Sequence, residues 1–163
     1  MTIDSSSVNN AMTRDDIEKM LHDLGESAQL NLVGRDLNGI DLSNLVLSEA
    51  NLSYTHLANA DLSNCDLSKA NLRGASLIRA NLCGANLQEA DLTEAELMGA
   101  NLQEADLTRA LLTAAEMRDA NLTEANLARA ELVEADLTNA TLEGAYLKGA
   151  DTAGAELPVE VTK

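Results

Sequence analysis

Leucine recurs at every fifth residue from Leu32 to Leu147, filling 23 of 24 positions, with Met117 at the remaining one. Alanine stands two residues before these positions from Ala50 to Ala150, interrupted only by Thr55 and Cys65. Between Ala and Leu most often lies Asp or Asn, and two variable residues complete the unit. Ala60-Asp61-Leu62-Ser63-Asn64 and Ala100-Asn101-Leu102-Gln103-Glu104 are examples. A period of five fits neither regular element. Five residues advance an α-helix by about 500°, so the leucines would spiral around it. On a continuous strand they would alternate between faces. The high helix propensity of Ala and Leu is therefore misleading here. The pattern fits a short extended piece followed by a corner. Leu and the Ala two before it then share one inward face, and the residue between them faces out. Repetition winds the chain into a coil with an interior of Leu and Ala.

Glycine supports the corner. Eight of the nine glycines, from Gly34 to Gly154, stand two residues after a central position, and Asn44, Asn59, Asn64 and Asn139 share that slot. Gly and Asn tolerate positive φ in tight turns. Glu, Arg and Lys stand in the slot as well, so left-handed geometry is expected at some corners and not at all of them.

The repeated Ala-(Asp/Asn)-Leu-x-x unit resembles the A(D/N)LXX motif of the pentapeptide-repeat family, over about residues 35–157. The resemblance implies an all-β solenoid, a right-handed quadrilateral parallel β-helix with four units per coil. Two dozen units then give about six coils and, with strands about 4.8 Å apart, a rod about 29 Å long. In such a rod each unit contacts only its neighbours, so stability adds up along its length.

The chain divides accordingly into a disordered N-terminal segment (1–12), an amphipathic capping helix (13–26), the repeat rod (27–157) and a C-terminal tail (158–163). Thr13-Arg14-Asp15-Asp16 resembles a capping box with acid in the first turn. Ile17, Met20, Leu21 and Leu24 follow at helical spacing, and Gly25 suits the position after the helix. The apolar face of this helix is expected to cover the open first coil. Leu30, Ile40 and Leu45 stand where Ala is later the rule and widen that end. At the other end Thr152 replaces Leu and Pro158 closes the pattern. Val159 and Val161 either fold over the last coil or leave it open for homodimer contact.

The net charge of -16 disfavours direct binding to nucleic-acid phosphates or to anionic membranes. At 45% hydrophobic residues the chain is too apolar for an acidic disordered tail. The polar start shows no secretory signal, and no apolar run approaches a membrane span, so a cytoplasmic protein is expected. Cys65 and Cys83 make neither a disulfide framework nor a metal knuckle. They read as one small buried Cys and one free surface thiol.

With twenty residues per coil, side chains twenty apart stack. The face built on Leu42, Leu62, Leu82, Leu102, Leu122 and Leu142 carries Asp41, Asp61, Glu104, Glu124 and Glu143 and no Lys or Arg. It also stacks Asn81, Asn101 and Asn121 as a ladder. The next face, on Leu47 to Leu147, balances its acids with bases, and Glu49, Lys69, Glu89 and Arg109 alternate in sign down one column. The face containing Leu57, Leu77 and Leu97 turns Ala58, Ile78 and Met98 outward as an apolar stripe. On the remaining face Leu111 and Val133 point outward. Leu62, Leu82, Leu102, Leu122, Met117, Ala100 and Ala120 represent the expected core.

Catalytic chemistry is sparse. His22 and His56 are the only histidines, and neither stands in a recognisable triad pattern. There is no phosphate-binding Gly-Lys-Ser/Thr loop and no His-Glu-x-x-His motif. Stacked Asp41 and Asp61 read as solvated carboxylates rather than a Ca²⁺ site. A filled interior leaves no pocket. No catalytic residue, cofactor or metal is expected. The chain reads as a non-catalytic structural or interaction protein with a protein partner still to be identified.

The alternative comes from the resemblance. Some pentapeptide-repeat proteins match a short DNA duplex in size and charge and bind type II topoisomerases such as gyrase. Residues 30–157 hold 20 acids and 8 bases, a net of -12. Over about 29 Å that is one net charge per about 2.4 Å, against about 1.7 Å in duplex DNA. The charge-balanced face interrupts a continuous negative surface, however. The gyrase-binding members commonly carry Phe at central positions and a C-terminal dimerising segment. This chain has no Phe and no evident C-terminal helix.

Overall fold

The computed structural model describes residues 12–24 and 29–158. The N-terminal segment before Met12, the expected role of Gly25 and the tail residues Val159 and Val161 lie outside the described residues. Among the described residues one helix, α1 (Arg14–Asp23), precedes the repeats. From Asn31 onward the Asp/Asn position of each unit pairs in parallel with the residue twenty further on. Asn31 pairs with Asn51, Asp36 with His56, Asp41 with Asp61 and Val46 with Asp66, and the register holds to Asp136 with Glu156. Four units therefore make one turn of a four-sided coil. We number the sides in chain order: side 1 is built on Leu32 to Leu132, side 2 on Leu37 to Leu137, side 3 on Leu42 to Leu142 and side 4 on Leu47 to Leu147.

One unit shows how the backbone is satisfied. The N–H of Asn101 donates to the Ala80 carbonyl one coil back at 2.9 Å. The N–H groups of Leu102 and Glu104 donate to Asn121 and Thr123 one coil ahead, at 2.7 and 2.9 Å. The N–H of Ala105 closes the turn on the Leu102 carbonyl at 3.1 Å. The remaining N–H, that of Gln103, donates to Oδ1 of Asn101 at 3.3 Å. All five donors are used, as buried backbone requires. The last bond explains the Asp/Asn preference: a short side chain with an acceptor two residues before the donor makes an Asx turn. The same bond recurs at Asp36, Asp61, Asp91 and Asp136, at 3.2 Å for the first and 2.9 Å for the other three.

The corners correct the expectation drawn from their composition. The second variable residue has positive φ at every corner from Gly34 to Gly154, between +55° and +76°. Lys69 (+57°), Glu104 (+57°) and Arg109 (+59°) adopt it as Gly does. The reason is the turn itself. The Leu carbonyl accepts from the next Ala N–H, and only the third residue of that turn has positive φ, the pattern of a type II turn. That residue must also aim its N–H at the adjacent coil. In-register stacking therefore imposes one geometry on every corner. A non-glycine residue held there costs roughly 1–2 kcal/mol, and the inter-coil hydrogen bond it makes helps to offset this.

The interior is shielded from solvent. From Leu32 to Leu137 every central residue is at most 2% exposed. Burying one Leu contributes roughly 1.5–3 kcal/mol of gross transfer free energy. Two polar intrusions in the Ala column are matched by acceptors. The hydroxyl of Thr55 donates to the Leu32 carbonyl at 3.0 Å, and the thiol of Cys65 to the Leu42 carbonyl at 2.9 Å. Burial pushes the Cys65 thiol up to about 11. Cys83 is half-buried rather than a fully exposed thiol.

At the N-terminal end Ile17 of α1 is fully buried in the same core as Leu30 and Leu32, and Met20, Leu21 and Leu24 pack against it half-buried. Thr13 caps α1: its hydroxyl accepts from the N–H of Asp16, whose carboxylate accepts from the N–H of Thr13 at 2.8 Å. Arg14 donates to Oδ1 of Asp41 at 3.2 Å and to the Ser43 carbonyl at 3.1 Å. It also pairs with Glu18 at 2.7 Å. Leu142, Leu147 and Leu157, at the far end, are half-buried.

Candidate interaction surfaces

Filling the coil with Leu and Ala leaves the sides to carry any chemistry. Leu62, Leu82, Leu102, Leu122, Met117, Ala100 and Ala120 are all buried, at 0–1% exposure. On side 3 the stacked amides form a directed chain. Each Nδ2 donates to the Oδ1 twenty residues earlier: Asn121 to Asn101 at 3.1 Å, Asn101 to Asn81 at 3.2 Å, and Asn81 to Asp61 at 3.1 Å. The chain ends on a carboxylate, the acceptor best suited to aligned amide dipoles. Glu104, Glu124 and Glu143 stand exposed on this side, and Asp41 is held by Arg14. The Ser43 hydroxyl first, then its N–H and Arg14, lower the Asp41 carboxyl below the usual carboxylate range.

On side 4 the column of alternating sign forms one ion pair, Arg109 with Glu89 at 3.7 Å. Glu49 and Lys69 make none among the described residues. Exposed pairs of this kind contribute roughly 0–1 kcal/mol, so side 4 is a solvated, charge-balanced surface.

Side 2 places Ala58, Ile78 and Met98 half-buried in one column. Beside them runs a column that the reading by faces missed: Asp36, His56, Ser76, Glu96, Glu116, Asp136 and Glu156, in continuous register. Four successive carboxylates, Glu96 to Glu156, are thus stacked. Counting in steps of twenty from Glu96 would have found them. Arg118 bridges two, with Nε 3.3 Å from Asp136 and a terminal nitrogen 3.9 Å from Glu116. The Thr138 hydroxyl, ahead of its N–H and Arg118, lowers the Asp136 carboxyl. Glu96 makes no side-chain hydrogen bond or ion pair among the described residues.

Side 1 carries Leu111 and Val133 half-buried and Tyr54 exposed. The Tyr54 ring lies over Gly74, where an added Cβ would sit 2.6 Å from the ring edge. Tyr54 and then Glu94 hold the Arg73 guanidinium above its ordinary range, with Glu94 2.5 Å away. At the edge of sides 1 and 2 is a surface depression of about 420 Å³. Asn38, Tyr54, His56, Ala58, Gly74, Ser76 and Glu96 line it. The expectation of no pocket fails at this outer edge, where small residues stack next to large ones.

Among the described residues, no three His, Cys, Asp or Glu side chains are arranged to hold a metal ion. Among the described residues no helix is long and apolar enough to cross a membrane.

Comparison with known proteins adds the lineage. The family profile described as "Pentapeptide repeats" matches in 8 copies, over residues 29–64, 46–79, 75–113 and 115–151. No curated protein sequence matches significantly. Trypsin-treated QnrB1, a plasmid-mediated fluoroquinolone resistance protein, is similar at 22% identity, over 78% of this chain and 72% of that one, with a TM-score of 0.56. Rfr23 from the cyanobacterium Cyanothece 51142 is 29% identical over 78% of this chain and 90% of its own, with a TM-score of 0.45. HetL, involved in heterocyst differentiation regulation in Nostoc sp. strain PCC 7120, is 28% identical over 91% and 98% of the two chains, with a TM-score of 0.33. The likeness to QnrB1 gives the coil the right-handed β-helix fold, and with the repeat motif matched over most of its length the chain belongs to the pentapeptide-repeat family.

Proposed function

We propose that this protein is a non-catalytic interaction rod of about six coils, closed at its first coil by α1, whose sides offer different chemistry to a protein partner. The supporting observation is the division between inside and outside. Central positions are filled by Leu at no more than 2% exposure from Leu32 to Leu137, while the outward columns differ from side to side. Side 3 is acidic without a single base, side 4 is balanced, and side 2 joins an apolar stripe to a carboxylate ladder. A rigid body with distinct columns suits recognition. The test is to change one side at a time and measure retention of the native partner from cells. Ile78→Lys addresses the stripe, and Asp61→Lys with Glu104→Lys addresses side 3. Loss from one side with unchanged melting supports the rod. Retention by every variant contradicts it.

A second reading, mimicry of DNA toward a type II topoisomerase such as gyrase, is favoured by one observation: the Glu96–Glu116–Asp136–Glu156 register extends the acidic surface beyond side 3. Side 4 weakens it, because its bases interrupt the negative surface. The likeness to QnrB1 extends to the fold. A gyrase supercoiling assay across several salt concentrations decides between the readings. Salt-sensitive inhibition that Asp61→Lys with Glu104→Lys removes supports mimicry, and no inhibition at high protein concentration rejects gyrase as the partner.

A further inference from the structure

The depression on the edge of sides 1 and 2 combines features that do not recur along the rod. Tyr54 is one of only two aromatic residues in the chain, and it is 55% exposed. Gly74 lacks the side chain that would displace its ring. Glu96 shares the lining with Tyr54 and is a carboxylate with no side-chain partner among the described residues. The lining of the depression contains no Lys or Arg, and the nearby Arg73 is paired with Glu94. From Glu96 the column continues through Glu116 and Asp136, which share Arg118, to Glu156, so carboxylates still outnumber the base along it.

An aromatic face and a free carboxylate around one hollow suit a planar cation. Guanidinium stacks on Tyr and presents a fork of donors to a carboxylate, whereas ammonium is a compact, more strongly hydrated charge. A chain of net charge -16 also draws basic segments to its surface. We infer that this depression receives an arginine side chain from a basic segment of a partner protein, stacked on Tyr54 and paired with Glu96, with further basic residues lying along Glu116. The inference rests on the reading of the chain as an interaction rod and names the chemistry of one partner.

Tyr54 supplies the readout. In Tyr146→Phe it is the only tyrosine, in a chain without Trp. The full chain is titrated with acetyl-Arg-Gly-Arg-amide, its Lys analogue and its Glu analogue, following the Tyr54 ring and backbone resonances by NMR. The Arg peptide is expected to give saturable shifts at Tyr54, His56, Ser76 and Glu96, the Lys peptide to bind at least two-fold more weakly, and the Glu peptide not to bind. Glu96→Gln, and Gly74→Ala through displacement of the ring, are expected to weaken the Arg peptide at least five-fold. Gly74→Ala keeps a backbone conformation that Ala114 already adopts at φ +55°. Glu124→Gln on side 3 is expected to change affinity less than two-fold. Shifts that never saturate, equal binding of Arg and Lys, or binding centred on Glu104 and Glu124 overturn the assignment. If the depression is silent while the native partner cross-links to another side, this assignment fails and the rod reading stands. If no partner cross-links to any side, both fail.

Discussion

At the residue scale an Asp or Asn at the position between Ala and Leu does two things: it sits in the register that joins neighbouring coils, and its side chain closes its own turn. Asn101 does a third thing: it donates to Asn81 and accepts from Asn121. Asn101→Asp keeps the turn bond and the acceptor but puts a carboxylate oxygen against Oδ1 of Asn81. The new carboxyl then favours its protonated form in the fold, so its folded pKa rises above the unfolded value. We predict a loss of about 1–2 kcal/mol that is complete above the folded pKa and recovered as pH falls below the unfolded pKa of about 3.9. Urea melts of the variant and its parent from pH 7 to pH 3 check this, and a pH-independent difference would contradict it. The corner slot gives a second prediction. Ala114 holds φ +55°, so Ala114→Gly should stabilise by about 1 kcal/mol and Gly149→Ala should cost about as much. Equal stability of all three proteins would show that the corners carry no strain.

At the element scale α1 and the first coil form one unit joined by Ile17 and Arg14. Thr13→Ala should cost about 1 kcal/mol, and Ile17→Ala about 2–5 kcal/mol. In a solenoid the damage should stay local. Hydrogen exchange should accelerate over α1 and residues 30–45 while amides near Leu102 keep their protection. Acid should loosen the same joint. Asp16 is lowered by the Thr13 N–H and then its hydroxyl, and Asp41 by Ser43 and then Arg14. Their contributions are therefore present above the ordinary value of 3.8 and lost as pH falls through the lower folded values. Opening of α1 that begins well above pH 4 would contradict this assignment. The cap was legible in the sequence because Thr13 and Asp16 carry their own local signal. The corners were not. Glu and Arg argue locally against positive φ, and only the stacking of coils overrides them.

At the scale of the whole molecule, the periodic leucines made the coil legible and the resemblance supplied its four sides. The surface was read less completely. Side 3 stood out by its lack of bases, whereas the carboxylate ladder is a column of side 2 that the same stacking reaches only when it is started at Glu96, and the Tyr54 depression crosses from one side to the next. The net charge of -16 bears on stability as well. Stacked Glu96, Glu116, Asp136 and Glu156 repel, and salt screens exposed charges over about 10 Å at 0.1 M. The melting temperature should rise by several degrees between 10 and 300 mM NaCl, an order-of-magnitude expectation for self-repulsion. A fall would mean that the ion pairs of Arg14, Arg73 and Arg118 outweigh it.

The most direct test of a partner-binding rod is cross-linking in cells of the source organism with the full chain and four variants, one per side. These are Glu131→Lys with Glu134→Lys on side 1, Glu96→Lys with Glu116→Lys on side 2, Glu104→Lys with Glu124→Lys on side 3, and Arg109→Glu with Arg129→Glu on side 4. All eight positions are exposed, so each variant should melt within a few degrees of the parent. A rod that binds through one surface loses its cross-linked partner in one variant, that of side 2 if Glu96 lies at the contact, and keeps it in the other three. Equal loss from all four, or no specific partner with the unaltered chain, would contradict it.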